Sequence, residues 1–113
     1  VAYAAQHPDI SQGLINFVGG WMGHRSPGNA ADAINPATFR RGAAFAKPTL
    51  WLYGENDPFY AMSHSRKNFE AFREAGGKGR FESFTLEGGA SGHGLLGQQG
   101  LWGKAVEGYL AAP

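Results

Sequence analysis

The amino-acid sequence predicts an α/β fold with three parallel strands and flanking helices. Three short apolar segments, residues 14–18, 49–53 and 81–86, have the length and the β-branched or aromatic content of strands. Segments with helix-forming composition follow each of them, bounded by glycine or proline. Because strands that alternate with helices form parallel sheets with right-handed crossovers, we expect the order helix end, β, α, β, α, β, α in an open sheet.

The chain opens on helix-forming residues. Residues 1–7 are rich in alanine and are followed by Pro8, which ends a helix, so they indicate the last turns of a helix. We therefore expect this chain to be a piece of a longer protein. Residues 14–18 (LINFV) form the first predicted strand, which Gly19 and Gly20 close.

The connection to the second strand holds a predicted loop and a predicted helix. Residues 21–35 contain Gly, Pro, Ser and Asn and indicate a loop. Asn35 followed by Pro36 has the pattern of an N-cap with proline at the first helical position. We expect a helix over residues 37–46, which Pro48 prevents from continuing.

The second strand and its helix give the clearest patterns. Residues 49–53 (TLWLY) are apolar on both faces, as buried parallel strands are, and the polar turn 54–58 follows them. Residues 60–75 alternate an aromatic face with a charged face, which predicts an amphipathic helix. Gly76 stands where a left-handed C′ residue would end that helix.

The third strand is expected to be less buried. Residues 81–86 place polar and apolar side chains on both faces. A glycine-rich loop follows through Gly94, and residues 98–111 predict a last helix interrupted by Gly100 and Gly103.

Composition excludes several classes of function. The 113 residues carry ten Lys and Arg against nine Asp and Glu, a net charge of +1, which cannot steer a nucleic acid or an anionic membrane. Cysteine is absent, which excludes disulfides, zinc–thiolate sites and a cysteine nucleophile within this stretch. No apolar run approaches the roughly 20 residues that span a bilayer. Composition fixes no compartment; a soluble, cytoplasmic protein is the expectation.

Two candidate catalytic residues follow neighbouring strands. Ligands of open α/β sheets bind beyond the carboxyl ends of the strands, where Asp57 leaves the second strand and His93 leaves the third. An imidazole that acts as a general base needs a partner to hold its tautomer, so we predict an Asp57–His93 hydrogen bond of about 2.6–3.2 Å. In the alternative interpretation, Asp57 bonds only its own turn and His93 is a surface residue.

These residues stand in motifs that resemble a known family. Residues 48–59 (PTLWLYGENDPF) and 88–94 (GGASGHG) are similar to the acid and histidine segments of α/β-hydrolases, particularly the dienelactone hydrolase-like group. The resemblance covers nearly the whole chain. It implies that residues 1–113 are the C-terminal portion of a single α/β-hydrolase domain, with Asp57 as the triad acid and His93 as the base. The implied activity is hydrolysis of ester, lactone or related acyl bonds.

The family's nucleophile is missing from the chain. Its Gly-x-Ser-x-Gly elbow does not occur, and the nearest approach, residues 89–93, has His93 in place of the last glycine. Ser91 follows Asp57, against the family order, and is too near His93 in sequence to present its hydroxyl to that ring. We therefore expect the nucleophile to come from a preceding segment and this segment alone to be inactive.

Two alternatives stay open. The chain could be a non-catalytic α/β binding or structural module, which the absent elbow favours. The family fold could instead carry a different nucleophile, aspartate for dehalogenase or epoxide-hydrolase chemistry, or cysteine for a thiol hydrolase. The residues that precede this chain discriminate between these hypotheses, because they would contain the nucleophile.

Residues near the two predicted loops are candidates for contact with a small ester or lactone. Trp21, Met22 and His24 follow the first strand and could line a substrate pocket, although Trp21 and Met22 could equally cover the edge of the sheet. Phe59 and Tyr60 follow the acid and could form a wall of the pocket, or simply pack.

Other features predict no further site. His7 and His64 are expected to be solvated, and no histidine pair has the i,i+4 spacing of a helical metal site, so we expect no metal. No Gly-x-Gly-x-x-Gly follows a strand, so we expect no cofactor. The strand 14–18 would have an open edge in an isolated chain, which we expect to be unstable, to aggregate or to form a homo-oligomer.

Overall fold

The computed structural model describes residues 1–23 and 29–112. No helix among them is long and apolar enough to cross a bilayer. Their elements, in chain order, are α1 (Ala2–Gln6), β1 (Leu14–Phe17), α2 (Ala31–Gly42), β2 (Thr49–Gly54), α3 (Met62–Glu74), β3 (Gly79–Phe84), the 3₁₀ turns Glu87–Gly89 and Gly92–Gly97, and α4 (Gln99–Ala111).

The three strands form one parallel sheet in the order β1-β2-β3. Thr49, at the start of β2, lies opposite Leu14 of β1 and Gly79 of β3. The carboxyl ends of all three strands therefore meet at one edge of the sheet. This architecture confirms the predicted α/β fold of parallel strands with flanking helices.

The core lies on both faces of β2, whose six residues are all buried. Side chains of a strand alternate between its faces, so Trp51 and Tyr53 pack with Phe39 of α2 and Phe72 of α3 on one side. The members of the other cluster, on the α4 side, are Leu50, Leu52, Leu86 and Leu95, with Ile15, Phe17, Val18, Phe84, Leu101, Trp102, Ala105, Val106 and Tyr109 packed against them. The result is a sheet held between two helical layers, which fixes the edge where the strands end.

The end of α3 is the predicted one. Gly76 has a φ of +99°, which glycine adopts without the steric cost that a side chain would add. Its N–H donates to the carbonyl of Arg73 at 3.0 Å, and the N–H of Gly77 donates to that of Phe72 at 3.0 Å. These two bonds are those of a Schellman motif, in which a left-handed C′ residue satisfies the last carbonyls of the helix.

The predicted start of α2 is wrong. The helix begins at Ala31 rather than after Asn35, and Pro36 lies inside it. Asn29 Oδ1 accepts from the N–H of Ala31 at 2.8 Å and so satisfies a backbone donor in the first turn of the helix. Asn35 is fully buried, because its side chain is used for contacts with another segment of the chain. A local capping pattern was thus overridden by tertiary hydrogen bonds.

Strand β3 occupies Gly79–Phe84, two residues earlier than predicted, and none of its residues is fully buried. Leu86 lies beyond the strand and joins the α4-side core. Strand β1 pairs with β2 and with no other described strand, and its four residues are half-buried. The expectation that this edge promotes association of the isolated chain stays a prediction.

Candidate active site

Asp57 sits in a tight turn directly beyond β2. The turn uses Asn56 at a φ of +59°, a conformation that asparagine tolerates better than most residues. The side chain of Asp57 is only 2% exposed. Its Oδ1 accepts from the backbone N–H of Phe59 at 2.7 Å and from that of Tyr60 at 3.1 Å. The turn therefore fixes the carboxylate and leaves Oδ2 to face outward from it.

His93 meets that second oxygen. Its Nδ1 lies 3.0 Å from Oδ2 of Asp57, within the range expected from the sequence. Because an ionised carboxylate only accepts hydrogen bonds, Nδ1 carries the proton and the neutral ring keeps its lone pair on Nε2. The structure differs from the alternative interpretation, in which Asp57 bonds only its own turn: one oxygen bonds to the turn and the other to the imidazole.

The loops bearing these residues touch through two glycines. A Cβ at Gly92 would lie 2.2 Å from the carbonyl oxygens of Gly54 and Glu55, and a Cβ at Gly54 would lie 2.4 Å from that of Gly92. The N–H of Gly92 also donates to the carbonyl of Asn56 at 3.4 Å. Only residues without a side chain permit this approach, which brings His93 within reach of the acid.

Ser91 does not face the imidazole as a nucleophile would. Its Oγ accepts from the backbone N–H of His93 at 3.3 Å and caps the 3₁₀ turn that carries the histidine. Within residues 1–23 and 29–112, no hydrogen bond reaches Nε2 of His93. The side chain of His93 is 43% exposed, so part of the ring is open to a group from outside these residues.

Aromatic rings border the imidazole. The ring centroid of Phe59 lies 4.7 Å from that of His93, and Tyr60 lies at 6.0 Å. Phe59 is 38% exposed and so presents an apolar surface beside the base. Burial raises the pKa of Tyr60, and the charge of Asp57 raises it further, so its phenol stays protonated and can donate a hydrogen bond.

The segment after β1, residues 19–22, holds two of the predicted contact residues. Trp21 is 71% exposed and Met22 is 37% exposed, so neither is a core residue. Val18 enters the segment with a φ of +42°, an unfavourable value for a β-branched residue, which turns the chain away from the strand direction. His24 lies outside the described residues, so its predicted contact is not placed.

Hydrogen bonds and packing hold this segment beside the site. The buried hydroxyl of Tyr53 donates to the carbonyl of Gly19 and accepts from Nδ2 of Asn16 at 3.0 Å. Burial raises the pKa of Tyr53 far above its usual range, so the hydroxyl remains a donor. A Cβ at Gly20 would lie 2.4 Å from Cε1 of Tyr60, which shows that the segment packs directly on the ring bordering the imidazole.

The prediction that His64 is solvated is wrong. His64 is only 3% exposed, and its Nε2 lies 2.9 Å from Nδ2 of Asn35. The buried face of α3 contains His64, Ser65, Asn68, Ala71 and Phe72, and this spacing is helical. Asn68 and His64 lie four and eight residues before Phe72, so their spacing indicated the buried face of the helix. Their polar side chains made them look solvated.

Burial predicts that the two histidines react differently with diethyl pyrocarbonate, which acylates accessible neutral imidazoles. We expect His93, with a side chain 43% exposed, to be modified, and His64, at 2%, to be protected. Peptide mass spectrometry after brief treatment measures both sites, and His7, which is exposed, serves as the reference. Equal rates for His64 and His93 would contradict the burial described here.

A hollow elsewhere on the described residues lies away from this chemistry. It measures about 490 Å³ and lies at the opposite end of the sheet, where Gly13, Leu14 and Pro48 meet Tyr109. None of its lining residues is an acid, a base or a histidine. The hydroxyl of Tyr109 is engaged there, accepting from the N–H of Leu14 at 2.8 Å and donating to the carbonyl of Pro48 at 2.6 Å. We therefore place the candidate site at the acid–imidazole pair.

No group of three or more acidic or histidine side chains within residues 1–23 and 29–112 forms a candidate metal site. Comparisons with protein-family models, curated proteins and solved structures found no match to this chain.

Proposed function

We propose that this chain supplies the acid and the base of a Ser-His-Asp triad, and that the protein is an α/β-hydrolase of ester, lactone or related acyl bonds. The observation that carries the proposal is a buried carboxylate bonded to an exposed imidazole, Asp57 to His93, at the edge where parallel strands end. The resemblance of both segments to the dienelactone hydrolase-like group supports the same conclusion.

The pair has the features that general base catalysis needs. Asp57 holds the proton on Nδ1 of His93, so Nε2 is free to take a proton from a hydroxyl group. Once the ring is protonated, the adjacent carboxylate stabilises the imidazolium, and the proton can then pass to the leaving group. Two backbone N–H groups keep the carboxylate oriented throughout.

The nucleophile in this proposal is a serine outside residues 1–113. Ser91 is excluded from that role because its hydroxyl caps its own loop. Nε2 of His93, whose side chain is 43% exposed, is the position at which an external hydroxyl would bind.

A fluorophosphonate probe tests the proposal, because it phosphonylates only activated serines. The product of the complete reading frame is expected to be labelled at one serine outside this chain. His93→Ala should abolish labelling, because the hydroxyl loses its base, and Ser91→Ala should leave it unchanged. Labelling that persists without His93, or that maps to Ser91, would contradict the proposal. A wild-type product that is not labelled would contradict it too, and halide release from a haloalkane would then assign an aspartate nucleophile.

A further inference from the structure

The carboxamide of Asn35 forms hydrogen bonds with both the N–H and the carbonyl of Met22. Its Oδ1 accepts from the N–H of Met22 at 2.8 Å, and its Nδ2 donates to the carbonyl of Met22 at 2.8 Å. Asn35 is 0% exposed, so its own carboxamide is removed from water and would be costly to leave unpaired. Helix α2 is thereby joined to the 19–22 segment.

His64 of α3 contacts the other N–H of that carboxamide. The bonds to Met22 allow only one orientation of Asn35, which directs its second N–H toward Nε2 of His64 at 2.9 Å. Nε2 must therefore accept, and the neutral ring carries its proton on Nδ1, which lies 3.7 Å from Oδ1 of Asp32. One buried imidazole and one buried amide thus hold a single backbone position.

The segment held in this way borders the candidate site. Gly20 packs on the ring of Tyr60, which lies 6.0 Å from the imidazole of His93. Trp21 and Met22 directly follow Gly20 in the chain and are 71% and 37% exposed, so they present apolar surface that the core does not cover. Pockets for small molecules are lined mainly by apolar and aromatic side chains, with a few polar groups at the reacting centre.

We propose that Asn35 and His64 are positioning residues that hold the 19–22 segment so that Trp21 and Met22 bind the apolar acyl chain of the substrate. The inference rests on the proposed function and adds a substrate class to it, esters whose acyl group is apolar rather than charged. It requires that loss of the buried amide loosens the segment and removes the preference for apolar chains, without moving the Asp57–His93 pair.

Amide hydrogen exchange, measured by NMR on the product of the complete reading frame, tests the positioning role. Asn35→Ala should speed exchange at Met22 by about tenfold or more, the change expected when a buried hydrogen bond is lost. The amides of Phe59 and Tyr60, which bond to Asp57, should stay protected. Asn68→Ala is the matched control, because Asn68 is also a buried asparagine, 1% exposed. Unchanged exchange at Met22 in Asn35→Ala would overturn the role.

A rescue experiment tests whether His64 contributes to holding the segment. His64→Leu removes the acceptor and should speed exchange at Met22, whereas His64→Gln keeps an oxygen that can accept from Asn35 and should restore protection. A purely space-filling role would instead make the leucine variant as protected as wild type. That result would remove His64 from the proposal.

Phenyl alkyl ketones of increasing chain length test the substrate class, because they resemble phenyl esters and are not hydrolysed. Wild-type protein should bind them about fourfold more tightly for each added methylene, the gain from burying that group. Asn35→Ala and Trp21→Ser should lose this dependence. Affinities that do not depend on chain length in the wild type, or that keep the dependence in Asn35→Ala, would overturn the inference. Ketone binding needs no nucleophile, so this test is independent of serine labelling. If labelling failed but affinity still rose with chain length, only the hydrolase assignment would be lost.

Discussion

Replacing Asp57 with Asn is expected to lower kcat for ester hydrolysis by the product of the complete reading frame by about 10⁴-fold. The new carboxamide can still accept from the N–H groups of Phe59 and Tyr60 through its oxygen, so its NH₂ then faces His93. The ring would accept at Nδ1 and carry its proton on Nε2, and it could no longer take a proton from the nucleophile. Steady-state hydrolysis of p-nitrophenyl acetate measures the loss, and ¹⁵N NMR of the imidazole identifies the tautomer.

Glu55→Gln provides the matched control, since Glu55 is a carboxylate in the same turn as Asp57. It should retain wild-type activity, because the proposed role depends on contact with the imidazole rather than on the net charge of the turn. An Asp57→Asn protein that is fully active, or an equal loss in both variants, would show that the Asp57–His93 bond is structural only.

Replacing Gly92 with Ala is expected to destabilise the protein by about 3 kcal/mol, at the upper end of the usual range for overpacking. The added Cβ would lie 2.2 Å from the carbonyl oxygens of Gly54 and Glu55, which are backbone atoms that cannot rotate away. Relief of this clash requires the loop to move, which would lengthen the Asp57–His93 hydrogen bond. Urea unfolding of the product of the complete reading frame measures the stability, and the NMR signal of the imidazole Nδ1 proton reports on the bond.

Gly97→Ala is the control for this prediction, because Gly97 lies in the same 3₁₀ turn as Gly92 and a Cβ there would meet nothing within 4 Å. Its stability should be close to that of wild type. Gly54→Ala should resemble Gly92→Ala, and the double variant should lose less than the sum of the two, because both residues open the same contact. Strict additivity would contradict a shared contact between these glycines.

Much of the fold was predictable because it follows from local patterns. The apolar run 49–53 predicts a central strand without knowledge of its neighbours, and the amphipathic stretch ending at Gly76 predicts α3 and its Schellman motif. Asp57 and His93 follow consecutive predicted strands, and the direction of parallel strands is enough to place them at one edge. The sequence thus determined the α/β class and the candidate acid–imidazole pair.

Only the tertiary structure decided the surroundings of that pair. Asn35 and His64 have local patterns typical of a helix cap and a solvated helix face, but both are buried. Asn35 bonds to the backbone of Met22, and His64 bonds to Asn35. The close approach of Gly54 and Gly92 likewise joins residues 38 positions apart, which no local pattern encodes. Propensity and periodicity act over a few residues, whereas buried polar groups are satisfied by whichever partners the packed chain brings near.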